Sequence, residues 1–305
     1  MTKNVLIDLN GCKLDFTCGG IMVQFELCRI LCELGVNARI KASKNIKNSV
    51  CNSYYNNDFS IDNNCVVIYG ETIEGNPLGG KNIVRWILGP VGVSSSINIP
   101  NTWQKDDLVY YFNSEEKFNI NPERIGNIYK LLNCHYINPY ARQRNFGERT
   151  GICYTIRKAR KMHGNNLRLV HPKGSFEITR EHTQMQCIEF FNTYKWFMCY
   201  DPLTFYIIIS ALCGCIPIVY KVAGLTKQQW IQTTTAAEYC KSRGLDNLYG
   251  IAYGQEDMEY AKNTIHLVKE QWDNIIKYSK EQIIVPFIND IQDINNMLNV
   301  VKNNY

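Results

Sequence analysis

The chain has 305 residues, of which 45% are hydrophobic, 20% charged and 12% aromatic. That balance is too apolar for a disordered chain and too mixed for a fibre, and the length suits two domains that each bury a core. Thirty-three Lys and Arg against 28 Asp and Glu leave a formal charge of +5 with no run of five like charges, so nucleic acid is not demanded as a partner, while a locally basic cleft for a phosphate group is compatible with it.

The opening run Asn4 to Leu9 is apolar and bounded by Asn10 and Gly11, as expected of a buried parallel strand. Gly19-Gly20 lies in a short loop, and Ile21, Phe25, Cys28, Leu31, Cys32 and Leu34 then recur at helical spacing up to Gly35. Val36 to Ile40 and Cys65 to Tyr69 read as the next strands, separated by an Asn- and Tyr-rich surface stretch. Gly70 to Gly80 reads as a loop, Lys81 to Leu88 as a helix, and Leu108 to Phe112 and Leu131 to Ile137 as further strands. Polarity rises over 138–150, a candidate linker. A second series follows, with strands at Gly151 to Ile156, Leu167 to His171, Trp196 to Tyr200, Ile216 to Tyr220 and Leu248 to Ala252. Helices are expected at Arg180 to Phe191, Leu203 to Leu212, Asp257 to Glu281 and Phe287 to Val301. Strands alternating with helices predict an α/β fold of two doubly wound domains, whose ligands sit outside the carboxyl ends of the strands in the cleft that two such domains create. The expected domains are 1–145, 146–285 and a terminal helix, 286–305, packing back on the first.

Thirteen Cys in so long a chain, the lack of any N-x-Ser/Thr sequon and a start that enters a strand-like run at once argue for a reducing, cytoplasmic compartment. Cys213/Cys215 and Cys28/Cys32 each lack a second ligand pair nearby, so small buried hydrophobes are preferred to a zinc site. Pro202 to Tyr220 contains no charge over nineteen residues, but Pro202, Gly214 and Pro217 break it into helix, turn and strand, which argues against a membrane span.

The residues at the strand ends carry the chemistry. Gly19 and Gly20 open a helix, where amides hold an anion, or serve only as a turn; the sequence is not G-x-G-x-x-G, which disfavours a dinucleotide site. Glu71 and Glu74 follow a strand, where a carboxylate acts as a general base or binds sugar hydroxyls unless it is merely solvated, and Arg85 on the following helix could pair with one of them. Arg157 and Lys158 place two cations at a strand end, suited to neutralising a diphosphate leaving group without a metal. His171-Pro172-Lys173-Gly174 adds polar groups at the next strand end. In Cys199-Tyr200-Asp201-Pro202-Leu203-Thr204, Thr204 and the open helix amides could bind phosphate, with Tyr200 beside them. Asp201 could take sugar hydroxyls, or act as a simple N-cap with Pro202 at N1.

The second half resembles the donor-binding domain of GT-B glycosyltransferases: an acidic residue, seven residues, a second Glu, an Ala-rich helix end and a Cys-Gly-x-Pro-Val-Val strand. Asp201 falls on the first acid, and Ala211 to Val219 (ALCGCIPIV) matches the helix end and strand. The first half is similar to the acceptor domain, and Gly75 to Trp86 and Gly250 to Gly254 look like a subgroup from bacteria and large DNA viruses. Ile209 stands at the second Glu position, which in the family usually holds the nucleotide ribose. The resemblance implies a metal-independent transfer of a sugar from a UDP- or GDP-linked donor, with no other cofactor, to a glycan or glycolipid acceptor, and leaves room for peripheral membrane contact. In that reading Arg157 and Lys158 stabilise the leaving diphosphate, Asp201 positions donor hydroxyls, Thr204, Tyr200, Lys173, Gly19 and Gly20 contribute binding groups, and Glu71 is the base if the reaction inverts. A catalytically silent nucleotide-sugar-binding subunit and an epimerase are the alternatives.

Overall fold

A computed structural model describes residues 3–12, 18–42, 59–92, 95–113 and 129–294. The chain divides into two compact units, Met1–Tyr136 with Lys277–Tyr305, and Ile137–Ile276.

In the first unit β1 (Asn4–Asp8), β2 (Ala38–Lys41), β3 (Cys65–Gly70), β4 (Asn82–Ile87), β5 (Leu108–Tyr111) and β6 (Tyr129–Leu131) form a parallel sheet in the order β2-β1-β3-β4-β5-β6. Every residue of β3 and β4 is buried, the pattern of inner strands covered on both faces. α1 (Gly19–Glu33) lays Phe25, Leu27, Cys28 and Leu31 against one face and ends before Gly35, whose φ of 82° only glycine adopts freely.

The segment expected as a helix, Lys81 to Leu88, is the strand β4. A short apolar run fits both periods, and burial between β3 and β5 decides for the strand. Its two polar residues are carried inside because both are satisfied. Asn82 donates to the carbonyls of Asn63 and Cys65 at 3.0 and 3.1 Å, and Arg85 is paired with Asp107. The expected strand from Leu131 to Ile137 ends at Leu131. The Asn- and Tyr-rich stretch falls largely at 43–58, outside the described residues.

The second unit contains β7 (Ile152–Thr155), α2 (Ala159–His163), β8 (Phe176–Glu177), α3 (Gln184–Thr193), β9 (Trp196–Cys199), α4 (Tyr206–Leu212), β10 (Ile216–Val219), α5 (Lys227–Gln232), α6 (Ala237–Arg243), β11 (Ala252–Tyr253), α7 (Met258–Thr264) and α8 (Val268–Ser279) up to Ile276. Its parallel sheet has the order β11-β10-β9-β7-β8. α3, α4, α5, α6 and α8 contribute to one apolar face, and Ala159 of α2 and Ala261 of α7 to the other, so this domain is wound on both sides. Thr183 and Gln186 form a reciprocal capping box, so α3 starts later than the expected Arg180.

Leu167 to His171 is a loop, not a strand, and the amides of Val170 and His171 go to a side chain instead of a ladder, as described below. Likewise, α4 starts at Tyr206, so neither Pro202 nor Thr204 lies in its first turn and Asp201 is not its N-cap. The uncharged run is α4, a turn at Gly214 and β10. Gly214 has φ 76°, and a Cβ there would meet Arg149 Nη2 at 2.5 Å. Arg149 in turn donates to the carbonyls of Phe191 and Cys213, binding the ends of α3 and α4 together. Among the described residues no helix is long and apolar enough to cross a membrane. Nine of the twelve described cysteines are buried free thiols, which makes them packing residues.

The expected helix from Asp257 to Glu281 is interrupted by a 3-10 turn at Ile265–Leu267 and followed by a π-helical turn at Lys280–Ile284. α9 (Val285–Gln292) belongs to the first unit, where Phe287 meets Tyr110 edge-on with ring centroids 5.0 Å apart. Asp290 accepts from Tyr110 Oη at 2.8 Å and from Lys130 Nζ at 2.8 and 2.9 Å. The rest of the expected terminal helix, 295–301, lies outside the described residues.

Candidate functional site

In a doubly wound sheet the chain leaves its first strand in one direction and later starts again in the other. The two loops that diverge there open a crevice at the carboxyl ends. In the second unit this switch lies between β7 and β9, which are paired from Ile152↔Trp196 to Thr155↔Cys199. The residues that follow are Arg157 and Lys158 on one side and Tyr200 and Asp201 on the other. Four of the residues singled out from the sequence therefore converge on one place.

Arg157 is the unusual member. Its φ is 43°, a left-handed conformation that costs a non-glycine residue of order 1 kcal/mol and persists only where surrounding contacts enforce it. Nη2 donates to Tyr206 Oη at 2.7 Å, and the guanidinium carbon sits 4.5 Å from the centroid of the Tyr206 ring. Nε is buried and has no hydrogen-bond acceptor. A buried cationic donor held in a strained backbone without an acceptor is the arrangement an anionic ligand would complete.

Asp201 is 4% exposed, and its Oδ1 accepts the Leu203 amide at 3.2 Å. Lys158, in the other switch-point loop, also favours the charged form of this carboxylate. Burial pushes its carboxyl above the usual carboxylate range, against the pull of the Leu203 amide and of Lys158. The folded pKa therefore exceeds the unfolded one. Ionisation costs stability that is untouched below the unfolded value and fully lost above the folded value, and the loss accrues as pH rises between the two. Asp201→Asn keeps an acceptor oxygen without the charge. It is expected to be more stable than the wild type at pH 7, with the difference closing toward pH 4 in urea denaturation; a difference independent of pH would count against this account.

Tyr200 is fully buried, and its hydroxyl oxygen accepts the amides of Val170 and His171 at 2.7 and 3.1 Å. With two donors directed at it, the hydroxyl proton goes to His171 Nδ1, 2.9 Å away, which leaves the imidazole proton on Nε2. The imidazole stacks on Tyr154 with centroids 3.6 Å apart. Tyr200 thus holds the loop that the sequence suggested as a strand, and that loop is tied to the switch point through His171. Lys173 is exposed in the same loop and is not brought into contact with Arg157 or Asp201. Thr204 is half-buried, and its amide donates to the Asp201 carbonyl at 3.2 Å.

In the first unit the switch lies between β1 and β3, paired from Asn4↔Cys65 to Asp8↔Tyr69. Glu71 follows β3, is 7% exposed, and its Oε2 accepts the Leu88 amide at 3.0 Å. Gly19 and Gly20 begin α1 after β1, and no side chain caps that helix. Neither has the positive φ that the turn alternative requires. No sequence signal picks out Asp8, which ends β1, is 4% exposed and accepts the Asn10 amide at 3.0 Å. Asn10 has φ 52°, so the two described non-glycine residues with positive φ, Asn10 and Arg157, each follow the first strand of a unit. Glu74 is exposed, and Arg85 pairs with Asp107 instead of Glu71 or Glu74.

Among the described residues no group of three His, Cys, Asp or Glu side chains could hold a metal ion. No protein-family model matches the chain, and no curated protein sequence matches it. Solved structures similar to it include T4 phage BGT in complex with its UDP-glucose substrate, at 9% identity and a TM-score of 0.48 over 98% of this chain and 99% of that one. Another is the wall teichoic acid polymerase TagF, at 10% identity and a TM-score of 0.39 over 96% and 90%.

Proposed function

We propose that the protein is a GT-B glycosyltransferase that moves a sugar from a UDP- or GDP-linked donor to a glycan or glycolipid acceptor. The observation that carries this reading is Arg157, strained, buried at Nε and lacking an acceptor, at the carboxyl-end switch point of the second unit. In the transfer the bond from the sugar carbon to the diphosphate oxygen breaks and the electron pair leaves with the nucleoside diphosphate. Arg157 and Lys158 would neutralise that charge, so no metal is required. Thr204 and His171 Nε2–H would supply further donors, with Lys173 contributing long-range attraction from its exposed position.

Asp201 is proposed to act by holding the Arg157-Lys158 loop through its attraction to Lys158, with any contact to donor hydroxyls secondary, since Oδ1 is already engaged by the Leu203 amide. A new bond forms from the acceptor oxygen to the sugar carbon, and in an inverting reaction its proton goes to a base. Glu71, oriented by the Leu88 amide, is the proposed base, and the uncapped start of α1 at Gly19 and Gly20 is a proposed acceptor-side contact.

A panel of UDP- and GDP-linked sugars tests the reading, by thermal shift for binding and by nucleotide release with glycan and glycolipid acceptors. Stabilisation by at least one donor, with acceptor-dependent release, is expected; if no donor stabilises the fold, the proposal fails at its first step. A binding subunit without turnover is the second reading. Ile209 favours it, because this residue is fully buried in the apolar core and offers the nucleotide no ribose contact. Its signature would be donor binding with neither transfer nor slow donor hydrolysis.

A further inference from the structure

We infer that Tyr206 is a positioning residue that holds the Arg157 guanidinium ready for the leaving diphosphate. The inference rests on the reading of Arg157 as an anion ligand. Tyr206 opens α4 and is 6% exposed, packed among Phe191 and the apolar face of the second unit. It grips Arg157 twice. Its hydroxyl oxygen accepts from Nη2 at 2.7 Å, and its ring faces the guanidinium with 4.5 Å from the centroid to Cζ. Each contact fixes a different freedom, the hydrogen bond setting rotation within the guanidinium plane and the ring setting the tilt of that plane. The Cys187 thiol lies 3.5 Å from the same phenol oxygen, so α3 in turn supports the phenol.

An arginine side chain has much rotamer freedom to lose on ordering. A guanidinium already ordered by Tyr206 has lost that freedom before the ligand arrives and then meets the phosphate without that loss. A phenol buried in α4 merely to fill the core would need neither the hydrogen bond nor the facing ring. Burial, with the neighbouring Cys187, pushes the phenol well above its usual range, so it stays a neutral acceptor for Arg157 throughout the working pH.

A double-mutant cycle read with inorganic pyrophosphate by calorimetry tests this, on wild type, Tyr206→Phe, Arg157→Ala and the double variant. Tyr206→Phe keeps the ring and loses the hydrogen bond, and about a tenfold weaker pyrophosphate affinity is expected. In the Arg157→Ala background the same change is expected to have no further effect, a non-additivity that a purely structural tyrosine would not produce. If Arg157→Ala binds pyrophosphate like the wild type, the anion site itself is lost. If Arg157→Ala weakens binding but Tyr206→Phe does not, or the two losses simply add, the positioning role is overturned while the site stands.

A measurement on the wild-type protein needs no variant to fold. Restricted rotation should give Arg157 resolved Nη resonances before ligand is added, and its Nε proton should shift on pyrophosphate addition. Fully averaged Nη resonances in the free protein would overturn the inference.

Discussion

Arg157→Ala is expected to lower sugar transfer about a hundredfold, the scale seen when one preorganised donor to a developing charge is removed. The loss should appear in kcat as well as in donor affinity, because negative charge grows on the leaving oxygen as the bond breaks and a fixed cation is worth most at that point. Lys158 is exposed and does not substitute for it. Its charge is screened by water, whereas the Arg157 Nε is buried. Turnover at the wild-type rate would remove Arg157 from the site.

The strain at Arg157 sharpens this expectation. Alanine inherits a φ of 43°, and glycine does not mind it. Arg157→Gly is therefore expected to be more stable than Arg157→Ala by about 1 kcal/mol in urea denaturation, with both variants equally poor in transfer. A residue kept in an unfavourable conformation, whose replacement by glycine relaxes the backbone and removes the activity, is being held there by function. If the glycine and alanine variants unfold together, the backbone at this position is not strained and that argument falls.

The strands with long apolar runs were legible from sequence because a buried parallel strand leaves an unbroken hydrophobic signature, as in Cys65 to Tyr69 and Ile216 to Tyr220. β4 was not, since Asn82 and Arg85 interrupt its apolar pattern and their partners, Cys65, Asn63 and Asp107, are distant in sequence. The same limit explains the loop at Leu167 to His171. Its composition suits a strand, and nothing local reveals that the Tyr200 hydroxyl takes two of its amides. At the switch point, Arg157, Lys158, Tyr200 and Asp201 could be picked out as polar groups following apolar strands. Tyr206 could not, because it sits in the run Thr204 to Leu212, where it looks like one more core residue. Asp8 was hidden in the same way inside the first strand. A pairing such as Arg157 with Tyr206 is a fact of topology, and one sequence contains no signal for it.

Arg85 should prove the costliest single loss in the first unit, for reasons that also bear on Glu71. It is fully buried. Nε donates to Asp107 Oδ2 at 2.7 Å and Nη2 to the Gly75 carbonyl at 2.6 Å, and the guanidinium carbon lies 4.9 Å from the Tyr69 centroid and 5.4 Å from that of Trp103. This one side chain ties the loop that begins at Glu71 to the turn before β5. Arg85→Met leaves Asp107, 4% exposed, as an uncompensated buried charge, and a loss of about 3–5 kcal/mol is expected at pH 7.

Burial already pushes the Asp107 carboxyl above its usual range, and Arg85 is what pulls it back. Without Arg85 the folded pKa climbs further above the unfolded one, so the variant binds protons more readily folded than unfolded and regains stability as pH falls from 7 toward 5. Pairing the change with Asp107→Leu should recover much of the loss, since two apolar groups leave no charge stranded. Urea denaturation of the two variants at pH 7 and pH 5 reads all three expectations. Arg85→Met within about 1 kcal/mol of the wild type would mean that the ion pair contributes no more than an exposed one does.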